Sequence, residues 1–312
     1  MGITLNNGLP DLLFFSQKYP DLNVGSILQL GRQDTYFSFE QLVEKAQLFG
    51  VGLKEVTPNI VSNKWTGQTV IDDITLFSSL GFSKVDSLDL VAHEGANFVH
   101  DLNISVPESF HEKWDVIYDA GTLEHVFDLT TAFKNIHLML KPNGFIIHEL
   151  PTNDFVDHGF WQISPTALLD CYGVNGYKIL EAWVWVLDPE ENLHTATPRR
   201  YIYEPLQFRQ LSIGGFPRGM AGVSFLARKG GATNSFVMPI QGFYQEHWDL
   251  RGSSEIKSVS EPGGDLNLEF IESPSAPRPR GWIKPVAELF LTLGKLLRLK
   301  GLSDVGERLW RY

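Results

Sequence analysis

The residues best suited to acid–base or ligand chemistry fall at the ends of apolar runs or in the loops after them. Trp114–Tyr118 is an apolar run with Asp115 and Asp119 at its ends, and Lys84–Leu90 and Asn97–Leu102 carry Asp89 and Asp101 near theirs. His125 lies in the loop GTLEHV and His158 in the loop HGFWQISPT. An uncharged imidazole accepts a proton from a hydroxyl near neutral pH, so His125 and His158 are the candidate general bases. The bland competitor is that each histidine simply bonds a neighbouring backbone group, as a strand-end aspartate often simply caps a turn. His148, Glu149 and His158 also suggest a cation site. However, His148 and Glu149 are adjacent on a predicted strand and point to opposite faces, so no metal is expected there. Phe160, Trp161 and Tyr172 would wall an apolar acceptor pocket, or are simply core residues, as aromatic side chains more often are.

These groups need elements to position them, and the stretch Trp114–Pro151 supplies the pattern. The run Trp114–Tyr118 predicts a buried strand. Asp128 can cap a helix whose Ala132, Phe133, Ile136, Met139 and Leu140 share one face at three- and four-residue spacing. Pro142, Asn143 and Gly144 stop that helix and lead into a second buried strand, Phe145–Leu150. A strand, helix, strand unit of this kind belongs to a parallel sheet, which binds ligands at the carboxyl ends of its strands.

The same logic extends along the chain. Leu12–Phe15, between two prolines, predicts a short N-terminal helix, and Ser26–Leu30 predicts a strand ending at Gly31. Ser38 and Gln41 form a capping box for a helix through Phe49. Another helix starts near Asp72 and stops before Gly81. The long span between these helices is either a lid or a surface loop. Ser164-Pro165 opens a helix through Tyr172. Tyr177–Leu187 and Ala221–Arg228 are strands with little helix between them, so the last strand should run antiparallel. Gly252–Arg280, rich in Ser, Pro, Gly and Glu, predicts a linker. Lys284–Leu299 predicts an amphipathic helix in a tail with eight basic and three acidic residues from Arg278 onwards. Such a helix suits docking on a membrane surface, a partner, a second copy or its own domain.

Composition narrows the classes. Twenty-six basic and 37 acidic side chains give a net charge of −11, which disfavours a nucleic-acid partner. The single cysteine, Cys171, rules out an intramolecular disulfide and fits a reducing, cytoplasmic setting. No secretory signal is read, and no apolar run approaches the ~20 residues of a spanning helix.

The run D-x-x-x-x-x-G-x-L-E-H-V, a helix and then K-P-x-G resembles the fourth strand, fourth helix and fifth strand of class I S-adenosylmethionine-dependent methyltransferases. GTLEHV and HGFWQISPT together resemble a bacterial subgroup associated with small molecules or surface glycans. The resemblance spans Ile27–Lys229. It implies an α/β, Rossmann-like sheet of about seven strands whose last is antiparallel, with a C-terminal extension. The expected division is an N-terminal helical segment (1–25), the methyltransferase-like domain (26–230), a loop-rich linker (231–283) and the basic helix (284–312). It further implies S-adenosyl-L-methionine as cofactor and methylation of oxygen or nitrogen on a small molecule or glycan precursor. By matched position, Asp89 takes the ribose, Asp101 and Leu102 flank the adenine, and Asp119, Gly121 and Thr122 line the methionyl end. Gly31-Arg32-Gln33-Asp34-Thr35 replaces the family's G-x-G-x-G, so Gly31 keeps the backbone approach, while Gln33 either narrows the pocket together with Thr35 or reaches a cofactor carboxylate. The alternative is a catalytically inactive binding or scaffold protein on the same fold.

Overall fold

The computed structural model describes residues 2–92, 95–188, 190–204, 218–231 and 235–242. The expected basic helix over 284–312 and most of the expected linker over 231–283 lie outside these residues.

One eight-stranded sheet organises the described part, in the order β5-β4-β1-β6-β7-β10-β8-β9. Strands β1 (Ser26–Leu30), β4 (Lys84–Asp89), β5 (Phe98–Val99), β6 (Trp114–Asp119) and β7 (Leu140–Asn153) are mutually parallel. Strand β10 (Met220–Arg228) runs antiparallel to both β7 and β8 (Lys178–Leu187). The chain thus enters the sheet centre at β1, builds one wing out to β5, returns through β6 and β7, and inserts its last strand between two earlier ones. The expectation of about seven strands misses the edge strand β9 (Arg199–Ile202), which is short and carries two arginines.

The helices form where their end signals lie. In α2 (Phe39–Phe49) the Ser38 hydroxyl accepts the Gln41 amide, and the Gln41 side chain accepts the Ser38 amide. Asp72 and Asp128 cap α3 (Asp73–Leu80) and α4 (Leu129–Met139) through the amides of Thr75 and Thr131. Ser164 caps α5 (Pro165–Val174). The apolar face of α4 is buried as its spacing predicts. It packs in the core on one side of the sheet, with Trp114, Ile117, Ile146 and Phe225.

The N-terminal helix α1 (Leu9–Lys18) is part of the opposite core, where Leu9, Leu13, Phe15, Phe77, Tyr118 and Trp183 cluster. It is held to the sheet by more than burial. Asp11 pairs with Arg200 of β9 at 2.7 Å, and both side chains are 3% exposed. The long span after α2 contains a hairpin, β2 (Ile60–Ser62) with β3 (Thr69–Ile71). From its turn, the Trp65 indole donates to Asp34 at 2.8 Å. The hairpin and the segment Arg32–Thr35 line a polar cleft of about 570 Å³.

Candidate active site

Five parallel strands end along one edge of the sheet, and the turns that leave them hold the candidate residues. Gly31 follows β1 with φ +67°, a left-handed conformation that glycine adopts without penalty. A Cβ added there would lie 3.0 Å from Thr122 Oγ1 and 3.9 Å from Asp89 Oδ2. Gly31, Asp89 and Thr122, from three different strand ends, therefore surround one point. Thr122 is fixed there because its hydroxyl donates to the Leu30 carbonyl at 2.6 Å. Asp89 is half-buried and accepts the Leu90 amide, leaving carboxylate capacity for a ligand. Gly121 lies in the same turn as Thr122.

Of the other expected contacts, Asp119, Gln33 and Tyr172 are turned away from the pocket, each for a physical reason. Asp119 is fully buried; one oxygen accepts the Thr122 and Leu123 amides and the other meets His148 Nδ1 at 2.7 Å. It shapes the turn from behind instead of lining the pocket. Gln33 is 6% exposed and donates its side-chain amide to the Leu30 and Gly31 carbonyls, so that amide supports the loop and does not reach outward. The Leu102 side chain is in the core. Its neighbour Asp101 stays at the surface, where bonds from the Asn103 backbone and side-chain amides hold its pKa below the usual carboxylate range. Tyr172 is also a core residue, stacked on Phe225 and bonded through its hydroxyl to His148 Nε2 at 2.7 Å. It cannot wall a pocket at the edge.

The structure brings His125 and His158 together. Their ring centroids are 5.2 Å apart, and both face Glu124, whose side chain is wholly buried. Two loops make this arrangement. Residues Leu123–His125 form a short 3-10 turn whose start is set by Asp119. The loop after β7 then docks on that turn, with the Phe160 and Trp161 amides both donating to the Glu124 carbonyl. Gly159 permits the approach: a Cβ there would come within 2.8 Å of the same carbonyl oxygen. Burial lowers the His125 pKa below the usual imidazole value, an effect that Glu124 opposes.

Beside the histidines stands an exposed aromatic group. Phe127 packs on Phe160 and Trp161 at centroid distances of 5.4 and 5.9 Å, and the Trp161 indole donates to the Val126 carbonyl. Phe127 is 66% and Phe160 65% exposed, which leaves their faces free for a planar or apolar ligand.

Sequence reasoning passed over Glu124. The residue stands between His125 and the buried Leu123, and nothing local marks an acid there as buried. Its partner His158 lies 34 residues further on, across a strand.

The sheet order, parallel through five strands with antiparallel strands on one side, is a Rossmann-like α/β fold of the kind found in class I S-adenosylmethionine-dependent methyltransferases. Residues 53–207 match a family model described as a methyltransferase domain. The match begins beyond the Gly31 loop. Solved structures that align with this chain include the trans-methyltransferase CalH in complex with SAH, at 13% identity and a TM-score of 0.34, covering 70% of this chain; the chain spans 54% of CalH. They also include a Burkholderia thailandensis 1,6-didemethyltoxoflavin-N1-methyltransferase, at 12% identity and a TM-score of 0.37, covering 72% of this chain and 78% of that one. An S-adenosylmethionine-dependent methyltransferase from Mesorhizobium loti has 16% identity and a TM-score of 0.34, covering 70% of this chain and 100% of that one. No curated protein matches the sequence.

Proposed function

We propose that the chain transfers a methyl group from S-adenosyl-L-methionine to an oxygen or nitrogen of a small molecule or glycan precursor. The observation that carries this reading is the convergence of Gly31, Asp89 and Thr122 at one point of the sheet edge, with the histidine and aromatic groups on the turn that follows Thr122 and on the loop after β7 that docks on it. Asp89 accepts the ribose hydroxyls and Asp101 sits beside the adenine, with Leu102 packed beneath it. Gly31, Gly121 and Thr122 border the methionyl end, and Asp119 holds their turn. The sulfonium methyl is already activated, so the protein's main tasks are alignment and exclusion of water. Phe127, Phe160 and Trp161 would align a planar acceptor. In the cation-free site, a neutral imidazole of His125 or His158 takes the acceptor's proton as the new bond to carbon forms.

The first test is calorimetric titration with S-adenosylmethionine and S-adenosylhomocysteine, which needs no knowledge of the acceptor. Micromolar binding is expected. Absence of binding up to millimolar ligand, in folded protein, would favour a non-catalytic scaffold on this fold. Once an acceptor is found, His125→Ala and His158→Ala together should lower turnover about 10²–10⁴-fold while cofactor affinity holds. Full turnover in that double variant would remove the proton-acceptor role.

A further inference from the structure

Glu124, His125 and His158 are arranged in a way that neither a hydrogen-bonded cluster nor a folding requirement explains. Glu124 is 0% exposed, yet neither of its carboxylate oxygens has a hydrogen-bond partner among the described residues. His158 Nε2 is also buried without one. A buried, unpartnered carboxylate is strongly disfavoured, and proteins normally pair such a group or place it on a metal. Both imidazoles lie within ion-pair distance of the Glu124 carboxylate but make no hydrogen bond to it. Glu124 Oε1 is 3.3 Å from His158 Nε2 and 3.8 Å from His125 Nε2, and one atom from each residue falls in a set within 4.8 Å. A charge-assisted N–H···O bond would be ~2.7–2.9 Å long.

We infer that Glu124, His125 and His158 form a three-ligand site for a divalent transition cation. Bonds of ~2.0–2.2 Å from a tetrahedral ion put neighbouring ligand atoms roughly 3.4 Å apart. The two measured separations straddle that spacing. Two imidazoles and one carboxylate form a donor set suited to Zn²⁺, Co²⁺ or Mn²⁺, with the fourth position left for an exogenous ligand. The site is held from both sides by backbone: Asp119 fixes the turn bearing Glu124 and His125, and two amides of the His158 loop bond the Glu124 carbonyl. The His125 and His158 side chains are 47% and 31% exposed, so the cluster borders solvent although Glu124 and His158 Nε2 are buried within it.

A consequence for the acceptor rests on the methyl-transfer reading above. An ion takes up the imidazole lone pairs that would otherwise accept the proton, and it lowers the proton affinity of an oxygen placed at its open position. The loaded site therefore favours hydroxyl acceptors over amines.

The test uses the full chain after treatment with a chelator, titrated with Co²⁺ by visible absorption and with Zn²⁺ by calorimetry. One ion per chain with micromolar or tighter affinity is expected, together with the intense visible bands of four- or five-coordinate Co²⁺. Glu124→Gln and His158→Ala should each weaken binding at least tenfold. His125→Ala, at a half-exposed position, should do the same without disturbing the fold. His111→Ala, at an exposed histidine outside the cluster, should change nothing. Absence of binding up to millimolar ion, or binding that survives both Glu124→Gln and His125→Ala, would overturn the site. The two proposals fail separately: cofactor binding without ion binding defeats only the cation site, and ion binding without cofactor binding defeats only methyl transfer.

Discussion

Two carboxylate–imidazole groups lie within a few residues of each other on this fold, and they are built in opposite ways. In the first, Asp119, His148 and Tyr172 are buried in a line, both His148 contacts are 2.7 Å, and the remaining Asp119 oxygen takes two backbone amides. Each imidazole nitrogen and each carboxylate oxygen has a partner. In the second, Glu124 is equally buried but its oxygens are unpartnered among the described residues, its imidazoles stand 3.3 and 3.8 Å away, and both are open to solvent. A closed group of this kind stabilises one conformation. An open one has capacity for something that is not protein, and a buried polar group left in that state is more informative about function than a satisfied one.

The largest effect should come from opening the closed group. Asp119→Ala strands His148 Nδ1 and leaves two amides of the 122–123 turn without their acceptor. Removing one partner of such a buried pair costs about 3–5 kcal/mol, or roughly 10 °C in the melting temperature of a domain this size. Glu124→Gln is the counterpart. It removes a carboxylate that no protein group hydrogen-bonds, so the ion-free stability should change by less than about 1 kcal/mol or rise. Thermal melts of the two variants side by side would test the contrast, and equal destabilisation would erase it.

The next effect concerns affinity and not folding. Asp89 is half-buried and its only described side-chain hydrogen bond is to the adjacent Leu90 amide, so Asp89→Ala should leave the melt nearly unchanged. If its carboxylate holds the ribose, the loss of charged hydrogen bonds worth ~1.5–3 kcal/mol should weaken S-adenosylhomocysteine binding about 10–100-fold by calorimetry. Unchanged affinity would move the ribose to another group.

The closed parts of the molecule were the legible ones. Ser38 with Gln41, Asp72, Asp128 and Ser164 announce helix starts because capping is local chemistry, and each cap forms where the sequence puts it. The spacing of Ala132, Phe133, Ile136 and Met139 reads directly as a buried face. The strand-end acids could be found but not sorted, since burial separates Asp119 from Asp89 and burial depends on what the rest of the chain packs around them. The histidine cluster was half legible. His125 and His158 could be named, but their meeting over Glu124 depends on a loop docking through backbone amides, which leaves no trace in side-chain pattern. The two readings of Tyr172 could not be separated for a related reason: an aromatic residue near a helix end looks the same whether it faces a pocket or, as here, stacks in the core on Phe225.

A third polar group sharpens the contrast further, with the smallest expected effect. Glu149 follows His148 on β7, so its side chain leaves the opposite face of the sheet, where it meets Ser224 and Asp11. The Ser224 hydroxyl lies 2.6 Å from both Asp11 Oδ2 and Glu149 Oε2, but it has one proton to give. The second short contact needs a proton on a carboxyl. Burial, with the Asp11 charge adding to it, raises the Glu149 pKa well above its ordinary value, so Glu149 is the group that carries it. The sign of the linkage follows: with the folded pKa raised, the folded state binds more protons than the unfolded one. Its contribution is complete below the unfolded value of ~4.3 and is lost as pH rises towards the folded pKa. Glu149→Gln keeps the shape and has no proton to lose. Its stability relative to the parent should therefore increase steadily as pH rises above ~4.3, from a difference within about 1 kcal/mol at the acid end. Urea melts of both proteins across that range would measure the difference directly. A flat difference would mean that Glu149 ionises normally and that the proton between Asp11 and Ser224 has to be placed elsewhere.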